Sequence, residues 1–111
     1  MKTIENNKII AEFLSVKIHP CGTIENFKFL PIEERGLYNG YFIDELKYHE
    51  DWNWLMEVVE KIESLGYRIE IVKHICRIYL SNKETIIISE NTPKIEAVYN
   101  AVVEFIKWYN N

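Results

Sequence analysis

GYRIEIVKHICRIYLSNKETIIISENTP, residues 66–93, is the stretch that decides the fold. Tyr67-Arg68-Ile69-Glu70-Ile71 alternates apolar and polar residues with period two, the pattern of a half-buried strand. Tyr67, Ile69 and Ile71 therefore share one face, and Arg68 and Glu70 the other. Ile75 to Leu80 reads as a second strand and Thr85 to Ser89 as a third, with Ser81-Asn82-Lys83 as the turn between them. Short connections between consecutive strands predict an antiparallel meander. Thr92 reads as the N-cap of a following helix, with Pro93 at its first position, where a missing amide hydrogen costs nothing.

Outward from the meander, helical periodicity takes over on both sides. Upstream, a helix is predicted from an N-cap at or beside Asp51 to Leu65, with Gly66 as its terminator. At about 100° per residue, Trp52, Leu55, Met56, Val58, Val59, Ile62 and Leu65 fall on one broad arc, opposite Asn53, Glu57, Glu60, Lys61 and Ser64. Glu57 and Lys61 stand four residues apart in the favourable order for an ion pair. Glu63 is the misfit, because it projects on the Trp52 and Met56 edge of the apolar arc. Downstream, Ile95, Val98, Tyr99, Val102, Phe105, Ile106 and Tyr109 form the main face of the last helix. Ala97, Ala101 and Trp108 add a second flank, leaving a narrow wedge of Glu96, Asn100, Glu104 and Lys107. An arc that wide requires neighbours on two sides.

A first helix is predicted over about Glu5 to Val16, on Ile9, Ile10, Phe13 and Val16, with Leu14 widening the stripe. Residues 17–50 carry the breakers His19-Pro20-Cys21-Gly22, Pro31, Gly36 and Asn39-Gly40, with short extended pieces expected at Asn26 to Leu30 and Leu37 to Ile43. The fold class that follows is α+β, ordered α-(irregular)-α-β-β-β-α, with helices on one face of a small three-stranded antiparallel sheet. With 111 residues, 48 % hydrophobic and 27 % charged, the chain has the size and composition of one globular domain, residues 1–111. No apolar run approaches the ~20 residues of a membrane span, and MKTIENNKII has no secretory h-region, so a cytoplasmic location is expected.

Charge is the one strong bias. Residues 44–63, DELKYHEDWNWLMEVVEKIE, hold seven acids against Lys47 and Lys61, whereas the segments on either side are close to neutral. With an overall charge of −4 and no basic stripe, direct nucleic-acid binding is disfavoured. The nearest approach to a chemical motif is His19-Pro20-Cys21 with His74-Ile75-Cys76. These spacings are not those of structural zinc sites, and Cys is commonly a small buried hydrophobe, so no metal is expected. No third residue completes a Cys/His nucleophile and no glycine-rich phosphate loop exists. No cofactor and no enzymatic activity are expected. A helix with tryptophan at its stripe margin and carboxylates on its open face suits an interface instead, with Asp44, Glu45, Glu50, Trp54, Glu57, Glu60 and Glu63 as the candidate partner-binding set. For Trp54 the competing reading is burial at the core margin beside Val58 and Leu65.

The segments YHEDWNWLMEVVEKIE (residues 48–63) and KIEAVYNAVVEFIKWYN (residues 94–110), with the opening NKIIAEF (residues 7–13), resemble a family of short proteins common in bacterial phages and prophages. The likeness spans most of the chain outside residues 17–47. That family carries no assigned activity, so the resemblance implies a phage setting, not a mechanism. Small acidic phage proteins of this kind are similar to anti-CRISPR proteins. The resemblance thus implies a partner with a basic surface, such as an RNA-guided host nuclease, or alternatively an accessory or structural phage protein acting by self-association.

Overall fold

The computed structural model describes residues 2–15, 17–18, 23–25, 41–42, 46–80 and 84–111. Its elements are α1 (Lys2–Phe13), β1 (Lys17–Ile18), β2 (Thr23–Glu25), β3 (Tyr41–Phe42), α2 (Trp52–Ser64), β4 (Tyr67–Val72), β5 (Ile75–Leu80), β6 (Thr85–Glu90) and α3 (Lys94–Tyr109). They gather into two compact units, Met1–Lys47 and Tyr48–Asn111. No described helix is long and apolar enough to cross a membrane.

In the second unit, β4, β5 and β6 form the expected antiparallel meander in that spatial order. Tyr67 pairs with Leu80, Ile69 with Ile78 and Ile71 with Cys76, while Cys76 pairs with Ser89 and Ile78 with Ile87. Because directly paired residues point to the same side, these pairs assemble one apolar face, on which Cys76 and Ile78 are fully buried. The opposite face carries Arg68, Glu70, Val72, Arg77 and Ile88, with Val72 and Ile88 exposed and Arg77 Nη1 donating to Glu70 Oε1 at 3.4 Å. The helices cover the apolar side: α3 lies on β5 and β6, α2 lies against β4, and the two helices touch. One residue of β6, Ile86, is unpaired, because the register steps from Ile78–Ile87 to Tyr79–Thr85.

Local chemistry fixes the helix ends. Asp51 caps α2, its carboxylate accepting from the Asn53 amide at 2.8 Å. Gly66 ends it at φ +100, a left-handed conformation that side chains resist. Asp51→Ala removes one helix-end acceptor and is expected to cost about 1 kcal/mol, read by urea unfolding, with no change in the folded spectrum. The last helix starts one residue later than expected. Pro93 takes the N-cap position with no side-chain cap, and Thr92 stays outside, its amide donating to Asn91 Oδ1 at 2.8 Å. The wide apolar arc of α3 is buried over Ala97, Val98, Tyr99, Ala101, Val102, Val103, Phe105 and Ile106, while Glu96, Glu104 and Lys107 face water.

In the first unit, α1 ends at Phe13, short of the expected Val16, and Ser15 adopts φ 64 just beyond it. Ile10 and Ala11 are buried, as is Asn7, whose Nδ2 donates to the Leu46 carbonyl at 3.1 Å. β1, β2 and β3 form a second antiparallel sheet in that order, pairing Lys17 with Glu25 and Thr23 with Phe42. The segment expected as irregular therefore contains strands of two or three residues each. The extended piece expected at Leu37 to Ile43 contains β3, and the one at Asn26 to Leu30 lies outside the described residues.

Candidate functional site

Of the two readings of Trp54 the structure has burial at the core margin, and Trp52 is the tryptophan that departs from its expected place. Trp54, a candidate anchor, is only 6 % exposed, and its ring meets Tyr48 edge-on at 5.3 Å. Trp52, assigned to the core arc, is 39 % exposed. The buried residues of the helix are Trp54, Leu55, Val58, Val59 and Ile62. At about 100° per residue, that set spans an arc beginning at Trp54 and stopping before Trp52. Leu65, just past the helix, is exposed as well. The arc predicted from apolarity is thus rotated, and the Trp52–Met56 edge faces out.

This rotation accounts for Glu63. Eleven residues separate it from Trp52, three turns plus about 20°, so the two side chains project in nearly the same direction. An unpaired carboxylate and a buried tryptophan do not share an edge. Glu63 was the signal in the sequence that this margin is wet, and Tyr48 supplies the aromatic surface that draws Trp54 inward instead.

Glu60 and Glu63 are both exposed, and among the described residues neither carboxylate has a hydrogen-bond or ion-pair partner. Met56, half-buried, bridges from Trp52 toward them at four-residue spacing. The result is a stripe of exposed indole, thioether and two carboxylates on one side of a well-anchored helix. Glu57 does not belong to it. It is half-buried on the Tyr48 side, where its charge adds to burial in pushing the Tyr48 phenol up from its usual range. Glu50 is exposed before the helix, with Oε1 3.8 Å from His49 Nε2, and Asp51 is committed to the cap. Asp44 and Glu45 lie outside the described residues.

A second exposed feature lies at the C-terminal end of α3. The Tyr67 ring meets Phe105 at 4.8 Å, Trp108 at 6.1 Å and Tyr109 at 6.3 Å, all edge-on, and Phe105 stacks on Tyr109 at 5.6 Å. Phe105 is fully buried beneath this cluster, whereas Trp108 and Tyr109 are each nearly half exposed.

The His-x-Cys idea fails geometrically at its second half. His74 sits in the β4–β5 turn beside Lys73, not on a strand with Cys76, and its Nε2 lies 3.2 Å from Glu90 Oε2. Cys76 faces the helices, fully buried, and burial pushes its thiol up to about 12. His19 and Cys21 lie outside the described residues. Among the described residues, no group of three or more His, Cys, Asp and Glu is placed to hold a metal ion. No protein-family model, no curated protein and no solved structure matches this chain.

Proposed function

We propose that the chain is a non-enzymatic phage-type protein that acts in the cytoplasm of a bacterial host, binding a basic surface of a defence nuclease complex and blocking it. The observation that carries this reading is the α2 stripe, in which Trp52 is exposed in line with Glu60 and Glu63 and no cation among the described residues neutralises those acids. An aromatic at an interface supplies contact area, and unpaired carboxylates steer a basic partner and fix its register. The guide-carrying channels of RNA-guided nucleases present the basic chemistry such a stripe suits. Glu50 extends the acidic surface before the helix.

The test is a pull-down of purified host RNA-guided nuclease by the chain. Glu60→Lys with Glu63→Lys is expected to reduce capture at least about tenfold at low salt, since like charges then face each other across the contact. Unchanged capture by the double variant would remove the acidic stripe from the account.

A second reading is a phage accessory or structural protein that self-associates. Its support is the exposed aromatic pair Trp108 and Tyr109, an apolar surface at one helix end.

A further inference from the structure

We infer that β6 is an association edge, on which a second copy of the chain adds its own β6 in antiparallel register about Ile88, continuing the sheet from three strands to six. Among the described residues β6 pairs only with β5, so one row of its backbone donors and acceptors faces outward with no strand beside it. Such edges in natural sheets are ordinarily blunted by charge, proline or a very short strand. The opposite edge, β4, follows that rule, with Arg68 and Glu70 alternating along it. The centre of β6 does not: Thr85-Ile86-Ile87-Ile88-Ser89 carries no charge and no proline and consists largely of strong strand formers.

Ile88 adds an apolar demand to the backbone one. It stands on the face that the helices leave uncovered, next to Arg77 on β5, and is 60 % exposed. A strand laid alongside β6 covers its outer flank.

The acids at the ends of the strand select the occupant. Glu84 precedes β6 and Glu90 closes it, so a partner strand must be apolar at its middle and bring no acid opposite either one. Parallel in-register addition of a second copy sets Glu84 against Glu84 and Glu90 against Glu90 at about 4.8 Å, which is repulsive. Antiparallel addition about Ile88 instead opposes Ile88 with Ile88, Ile87 with Ser89 and Ile86 with Glu90, and moves the two Glu90 side chains about four residues apart. It also keeps paired side chains on a common face, as a two-fold axis normal to the sheet requires. The displaced Ile86 would have to face Glu90, so the regular ladder is limited to Ile87–Ser89 on each copy and the contact is short. Because both β6 edges are consumed, the product is a closed dimer and not a fibre.

The test is sedimentation velocity on the full chain between about 1 and 100 µM. A dimer whose fraction rises with concentration is expected, weakened at least about tenfold by Ile88→Lys and unchanged by Trp108→Glu. Far-UV circular dichroism checks that each variant is folded, and Ile88→Thr, which keeps the branched shape, replaces the lysine variant if the latter unfolds. A chain monomeric throughout, an Ile88 variant that dimerises like the parent, or a dimer abolished by Trp108→Glu would each overturn the inference. None of these readouts involves the α2 stripe, so the nuclease proposal stands or falls separately.

Discussion

Trp54→Ala is expected to lower stability by about 3–5 kcal/mol, while Trp52→Ala, two residues away on the same helix, changes it by no more than about 1 kcal/mol. The contrast follows from burial. Trp54 is enclosed, with Tyr48 edge-on at 5.3 Å, and truncation leaves a cavity the size of an indole. Trp52 keeps more than a third of its surface in water, and its removal opens no cavity. Urea unfolding followed by circular dichroism measures both. Comparable losses for the two variants would mean that α2 is rotated from the orientation described, and the exposed stripe would disappear with it. If the stripe is the docking surface, Trp52→Ala weakens partner binding by more than it weakens the fold.

Phe105→Ala is the second large effect. This ring is completely buried and contacts Tyr67, Trp108 and Tyr109, so the variant loses apolar transfer energy, creates a cavity and removes three aromatic contacts at once. A loss of about 4–5 kcal/mol is expected, with a fall in Tm of more than about 15 °C. Against a total stability of about 5–15 kcal/mol, that leaves a chain close to its threshold. Trp108→Ala, at the exposed rim of the same cluster, is expected to cost less than about 1.5 kcal/mol. A thermal melt in which Phe105→Ala shifts Tm by less than about 4 °C would contradict the packing of α3 on the sheet.

What the sequence made legible was periodic. Strict alternation over Tyr67–Ile71 assigned every β4 side chain to its face, because a one-residue slip would bury Arg68 and Glu70. The breadth of the α3 arc likewise announced a helix packed on two sides. Failures came where a decision rested on one contact and not on a repeat. The margin of α2 offered an indole on either edge, and the choice fell to Tyr48, which no helical period includes. Asn7 is polar at a buried position because the Leu46 carbonyl, 39 residues away, accepts its amide, and no local pattern encodes such a partner. Strands of two or three residues are too short to display alternation, so β1 and β2 left no trace in the pattern, and β3 shows only as part of the extended piece expected at Leu37 to Ile43. The cap of α3 went to Pro93 because Asn91 engages the Thr92 amide and places Thr92 outside the helix.

For the candidate site, the sequence located the acidic helix but not which of its faces is exposed. Of the seven residues assigned to partner binding, Glu50, Glu60 and Glu63 are exposed, whereas Trp54 is buried and Glu57 is half withdrawn beside Tyr48. Trp52 replaces Trp54 as the aromatic element. A count of charge along the chain does not distinguish a solvated acid from one turned against a phenol; only the phase of the helix does.

If Glu60 and Glu63, in line with Trp52 along α2, steer this chain to a basic surface, its association rate constant with purified guide-loaded host nuclease depends on salt. Between about 0.01 and 0.15 M salt the screening length falls from about 30 to 8 Å, so a steered encounter slows sharply while a neutral one does not. For the parent a rate that drops at least about tenfold over that range is expected, whereas a Glu60→Lys, Glu63→Lys variant starts low at 0.01 M and rises as salt screens the repulsion. Equal rates for parent and variant, unmoved by salt, would contradict steering by these acids.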